Sequence, residues 1–279
     1  MTVKVVTDST SDIPSSTADA LGVTIVPIYV RFGGEAYRDG VDISANEFYE
    51  RLVKSPVHPA TSQPSPADFT AAYSQLAEKA DAIVSIHISS RISGTYDSAL
   101  LARGTAQQEG RIEVIDSKLN SVGLALVVMA AARLASQGAS VEDVLAETHR
   151  AIDEVKMFGM FATMRYLALG GRVPRSVATT ASILKVMPLL TFRDGEIIRA
   201  GLVRTVSRGM DRLYDWVHGR TGIVELGISH SMVPEQAGEL KKRLGALVPE
   251  ERIQLFHLGA GLGVHGGPGV LVIGVRQNV

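Results

Sequence analysis

Three serines and a threonine stand close together in Ser89-Ser90-Arg91-Ile92-Ser93-Gly94-Thr95-Tyr96. The apolar run Ala82 to Ile88 before them reads as a buried strand, and Asp97 to Arg103 after them reads as the first turns of a helix. Hydroxyls at the carboxyl end of a strand, beside the free N–H groups of the next helix, suit an anion. They suit plain helix capping as well, and the segment alone does not choose between the two.

A second candidate is the run Leu258 to Gly269, with six glycines around His265. It contains a formal G-x-G-x-x-G from Gly261 to Gly266. A dinucleotide site requires that motif to open a helix, whereas here a proline and a strand are expected to follow, so the Rossmann reading is rejected. The glycines would let the backbone approach a ligand or another segment closely, and His265 is the titratable side chain among them. Arg172, after Gly170-Gly171, reads either as a clamp for a carboxylate or phosphate or as a solvated turn residue. Arg204, after a strand, reads as a surface residue unless a cleft opens beside it.

Other chemistries lack their residues. No G-x-x-x-x-G-K-[ST] phosphate loop occurs, Ser93 is not in a G-x-S-x-G elbow, and the seven histidines show no zinc spacing. With no cysteine, disulfides, thiol catalysis and cysteine-held metals are excluded. A net charge of −1 without a basic block gives nucleic acid no electrostatic support. What remains is a set of hydroxyls, one histidine and one or two arginines, which suits holding an anion better than breaking a bond.

The elements that must position these residues follow from pattern. The chain has 279 residues, 46% hydrophobic and 20% charged, enough for two ordinary domains with ample cores. Its start, Met1 to Asp8, turns polar too soon for a signal peptide. The longest apolar run, Val122 to Ala132, falls short of the roughly 20 residues that span a bilayer. A soluble, cytoplasmic protein without stable membrane insertion is expected.

Strands are expected at Val3 to Val6, Val23 to Val30 (bulged or at an edge because of Pro27), Ala82 to Ile88 and Arg111 to Ile115. Helices are expected at Pro14 to Leu21, after the Ser44/Glu47 capping box, after Ser65-Pro66-Ala67-Asp68, from about Thr95 to Glu109, from a Ser121 cap to Gly138, and after Ser140. Pro56, Pro59 and Pro64 keep the segment Ser55 to Ser65 out of a helix. Strand and helix alternate five times, which predicts a parallel sheet wrapped by helices over residues 1–155. Beyond it, strands at Met157 to Ala162, Pro188 to Phe192, Glu196 to Val203, Ile223 to Ser229, Arg252 to His257 and Val270 to Val275 predict a mixed or antiparallel sheet with helices over 156–279. Arg193-Asp194-Gly195 marks a hairpin.

In order along the chain, Thr7-Asp8-Ser9-Thr10, Thr61-Ser62-Gln63-Pro64-Ser65, Ser93-Gly94-Thr95-Tyr96 and Asp116-Ser117 come first. Gly170-Gly171-Arg172, Asp194-Gly195, Arg204-Thr205 and His265-Gly266-Gly267-Pro268-Gly269 complete the series. This ordered set resembles the DegV family, whose members include the fatty-acid-binding subunits of bacterial fatty-acid kinase. The resemblance covers essentially the whole chain. It departs at Met187-Pro188, where the family commonly has Lys-Pro, and no role is carried onto Met187.

The resemblance implies two α/β domains with a long-chain fatty acid between them, bound as a ligand without a cofactor or metal. It implies that Thr61, Ser93 and His265 hold the carboxylate with Arg204 nearby, supported by Ser62, Gly94, Arg172 and Gly266. Hydroxyl, imidazole and guanidinium groups are the donors that a buried carboxylate needs. It further implies a non-enzymatic subunit that presents the carboxylate to an ATP-binding kinase subunit, which forms the acyl-phosphate. In that setting Arg172 or Arg204 could instead serve the docking surface or the developing phosphate. Burying about fourteen methylenes contributes roughly 11 kcal/mol before binding costs, so a long apolar tunnel is required. Leu124 to Leu134 and Ile183 to Leu190 are apolar enough to line it or to be plain core. Two rivals stand beside this reading: an enzyme acting alone on a small carboxylated or phosphorylated substrate, with His265 as acid/base, and a carrier or sensor of another apolar acid.

Overall fold

The computed structural model describes residues 2–105, 111–172 and 186–278. Four parallel strands form the first sheet, in the order β2 (Val23–Val26), β1 (Val3–Asp8), β6 (Ala82–His87), β7 (Arg111–Asp116). Because all four run the same way, Asp8, His87 and Asp116 come together at its carboxyl end. Around it lie α1 (Ser15–Leu21), α3 (Pro66–Ala77), α4 (Thr95–Thr105), α5 (Ser121–Ser136) and α6 (Val141–Glu154), while α2 (Ala45–Lys54) packs apart from it, with Phe48, Tyr49 and Leu52 against Val30, Phe32, Ala260 and Val264. The expected Ser44/Glu47 capping box is present on α2, and the expected Ser65 start of α3 also closes into a capping box with Asp68. The far end of the expected helix to Glu109 lies outside the described residues.

A small sheet was not foreseen. Pro27 cannot donate to a ladder, and the apolar stretch from Val23 splits there into β2 and β3 (Tyr29–Phe32). The second piece joins β4 (Glu35–Arg38) on one side and β5 (Ala60–Ser62) on the other, both antiparallel. Thr61 lies opposite Val30 in that pairing.

The second sheet has six strands, in the order β10 (Glu196–Val203), β9 (Met187–Arg193), β8 (Val155–Met160), β13 (Leu271–Gln277), β11 (Ile223–His230), β12 (Ile253–His257). All pairs are antiparallel except β11 with β12, so the sheet is mixed, as the pattern predicts. With it come α7 (Arg165–Gly170), α8 (Val206–His218), α9 (Pro234–Leu244) and α10 (Ala260–Gly266).

Helix α5 joins the two sheets. It carries no charge from Ser121 to Ala132, and every residue in that span is buried. One face meets Val3 and Val5 of β1 and another meets Met157 and Val272 of the second sheet, all in one apolar core. A helix apolar all round is stable in water only when covered on all sides. Its cap differs from expectation. Asn120 is the N-cap, while Ser121, at φ 43°, turns its hydroxyl to Asp12 at 2.5 Å. Among the described residues no helix is long and apolar enough to cross a membrane.

Candidate functional site

The glycine run does open a helix, contrary to the sequence reading. Three glycines among its seven residues disfavour helix on propensity alone, but tertiary contact overrides it. At Gly263 a Cβ would stand 2.6 Å from the Phe48 ring and 2.7 Å from the Tyr49 hydroxyl, so only glycine lets α10 lie this close to α2.

The phosphate reading still fails, for a different reason. The first N–H groups of α10 are taken by the protein's own carboxylates. Gly259 N–H donates to Asp12 Oδ1 at 2.8 Å, Ala260 N–H to Asp39 Oδ1 at 2.9 Å and Gly261 N–H to Asp39 Oδ2 at 3.2 Å. Burial pushes both carboxyls above the ordinary range, and the hydrogen bonds from Ser121 and Gly259 to Asp12, and from Gly261, Ser9 and Ala260 to Asp39, pull them back.

At the other end of α10, His265 Nε2 meets Thr61 Oγ1 at 3.0 Å, joining residues 204 apart in sequence. Gly170 leaves the room for the ring, since a Cβ there would overlap His265 Nδ1. Gly171 ends α7 in the left-handed region at φ 66°, and Arg172 then folds back to donate to Gly170 O at 2.7 Å. Burial, then the Arg172 charge and His58, pull the His265 pKa down to about 3, so the imidazole is neutral near pH 7. His265 Nδ1 is buried and has no hydrogen-bond partner. With no carboxylate on that nitrogen, the ring is not set up as the base of a relay. A neutral imidazole, a hydroxyl and a nearby guanidinium can hold an anion.

The remaining predicted residues divide. Gln63, two residues beyond Thr61, reaches to where a Cβ on Gly94 would be, within 2.8 Å, so β5 borders the serine loop. Ser93 is half-buried and shares a 2.8 Å hydrogen bond with Thr95, and it also accepts from Thr95 N–H at 3.3 Å. Among the described residues no hydrogen bond joins Ser93 to Thr61 or His265. Ser62 pairs with Tyr29 across the small sheet, and Gly266 is buried against Val270 and Leu258. Arg204 is exposed between β10 and α8, and among the described residues no hydrogen bond or ion pair links it to the Thr61–His265 corner.

The other serines of the loop have structural partners. Ser89 donates to Gly195 O at 2.7 Å and so docks the β9–β10 hairpin, while Ser90 donates to Asp116 at 2.6 Å. Sequence reasoning passed over Asp12, Asp39, Gln63 and His58. In the sequence Asp39-Gly40 reads only as a turn, because the α10 N–H groups that Asp39 binds lie more than 200 residues away.

Two sheets clasp one apolar helix, and Thr61 and His265 meet from opposite ends of the chain, which defines a two-sheet α/β protein. The sequence matches the family profile described as "Uncharacterised protein, DegV family" over residues 2–278, and the chain belongs to the DegV family. It is 34% identical over 270 residues, 95% of each chain, to a DegV domain-containing protein of Caldanaerobacter subterraneus subsp. tengcongensis. A solved structure described as "Fatty Acid Binding of a DegV family Protein from Thermus thermophilus" matches with a TM-score of 0.90 and 33% identity over 100% of both chains. One described as a stearic acid-binding protein from Eubacterium ventriosum matches with a TM-score of 0.89 and 28% identity, over 99% of this chain and 98% of that one.

Proposed function

We propose that this protein binds a long-chain fatty acid between its two sheet regions, residues 1–155 and 156–279, with the carboxylate at the Thr61–His265 corner. The observation that carries this reading is the neutral, half-partnered His265, bonded to Thr61 and flanked by Arg172. Ser93 turns its hydroxyl from Thr95 to the carboxylate when ligand is present. Two structural relatives described as fatty-acid-binding support the ligand class.

The tail is given to apolar surface near His265. A small cluster under α7 holds Met164, Leu167 and Leu190, with Phe161, Val186 and Ile197 only partly buried against it. Those three are the wall assigned to the acyl chain. Leu124 to Ala132 are buried between the sheets, and this reading assigns them to the core. Of the segment Ile183 to Leu190, residues 183–185 lie outside the described residues.

In this reading the protein presents the carboxylate to an ATP-binding kinase subunit and does not phosphorylate it alone. Arg204, exposed and apart from the corner, belongs to the docking surface, and Arg172 to the carboxylate. The test is mass spectrometry of lipid extracted from purified protein after loading with mixed fatty acids. Wild type is expected to retain one acyl chain per protein, and His265→Ala to retain little. A wild-type protein that emerges empty after loading refutes the reading. Arg204→Ala is expected to load normally but to slow acyl-phosphate formation with the kinase subunit.

A further inference from the structure

The three-stranded sheet grips α10 at both ends. Asp39 follows β4 directly and Thr61 lies on β5, and both strands hang from β3. Helix α10 spans the two handles, with its first N–H groups on Asp39 and His265 in its last turn on Thr61. With seven residues it is too short to hold its own shape, so its orientation comes from these contacts.

We infer that Asp39 is a positioning residue for His265, acting through α10 from the far end of the helix. Its two oxygens take successive N–H groups, which fixes the helix in rotation as well as along its axis. The carboxylate is itself held. Ser9 donates to Asp39 Oδ2 at 3.0 Å and accepts from Ile28 N–H at 3.1 Å, just before β3. Asp12 adds one bond to Gly259 and is steadied by Ser121 at the start of α5. The circuit closes: β3 to Asp39, Asp39 to α10, His265 to Thr61, and Thr61 back to β3. A ring so held presents Nε2 at one place and one angle, which is what an anion receptor needs before its ligand arrives.

The consequence for binding rests on the fatty-acid reading, while the consequence for the imidazole does not. Two measurements keep them apart. First, long-range nitrogen–proton NMR of the unliganded protein reads the His265 ring directly. Asp39→Asn, which keeps the size but replaces one acceptor with a donor, is expected to shift the His265 nitrogens and leave those of His87 in place. Second, a double-mutant cycle with oleate titrated by calorimetry reads the coupling. Asp39→Asn is expected to weaken binding roughly tenfold in the wild-type background and less than twofold in His265→Gln.

An unshifted His265 in folded Asp39→Asn overturns the inference, as does an equal loss in both backgrounds. If wild type binds no oleate, the fatty-acid reading falls while the NMR shift still decides on Asp39. Should Asp39→Asn not fold, Ser9→Ala removes a single bond to the same carboxylate. It is expected to produce a smaller shift of His265 in the same direction, and no shift overturns the inference.

Discussion

Two histidines in this protein sit in opposite conditions. His87 lies at the end of β6 with no exposure, and both its nitrogens are engaged, Nδ1 with Asp8 at 3.0 Å and Nε2 with Ser85 at 2.7 Å. Tyr73 donates to Ser85 at 2.8 Å, so a chain of four polar groups runs to Asp8. Asp8 also accepts from Ile88 N–H and from Thr10. The order Ser–His–Asp mimics a hydrolytic triad, but Ser85 is fully buried and already accepts a hydrogen bond from Tyr73, so no substrate reaches it. His265 has one nitrogen on Thr61, the other orphaned, and an exposed cation beside it. A buried polar group with every partner present is structure, and one left half-partnered is where a ligand has something to add.

Substitutions at the two places should therefore fail in different assays. The largest effect is expected at Asp8→Ala, which strips His87, Thr10 and Ile88 of a buried partner. A loss of about 3–5 kcal/mol in urea-induced unfolding is expected. A loss under 1 kcal/mol would remove the contrast between the two histidines.

His265→Ala gives up one hydrogen bond within the protein, so its unfolding free energy should fall by about 1 kcal/mol. Its fatty-acid affinity should drop roughly ten- to a hundredfold, the scale of a lost hydrogen bond to a charged group. Ser93→Ala is expected to cost about threefold to tenfold in the same calorimetric titration, less than His265→Ala because Thr95 already shares its hydroxyl.

A separate effect is a slope with pH. The His265 pKa lies near 3 when folded against an ordinary 6.5, so between these values the unfolded chain binds more protons. The stabilising contribution of the neutral ring is complete above about pH 6.5 and is lost as pH falls toward 3. Wild type should lose stability more steeply over that window than His265→Gln, in unfolding curves taken at a series of pH values. Parallel slopes would place His265 in water, not in the buried corner described above.

Much of the fold was readable because its signals are local. The βα alternation, the Ser44 capping box, the Ser65-Pro66 helix start and the turn at Arg193-Asp194-Gly195 each occupy a few adjacent residues. The small sheet escaped because its strands are three or four residues long and one pair is formed across a proline-rich segment. Helix α10 escaped because its stability comes from Phe48, Tyr49, Asp12 and Asp39, none of them near it in sequence. Thr61 and His265 were named through the ordered motif series, and the structure brings that pair into contact. Arg204, read from the same series, lies elsewhere, and Asp39 carried no local mark beyond its turn.

The most direct test of the distinction between the two histidines is a ligand titration watched at the imidazole nitrogens. Uniformly nitrogen-15-labelled protein is titrated with oleate, and the long-range nitrogen–proton spectrum is followed to saturation. The His265 nitrogens are expected to shift with the bound fraction, while the His87 nitrogens stay where they were. A saturating fatty acid that leaves His265 unmoved contradicts the account.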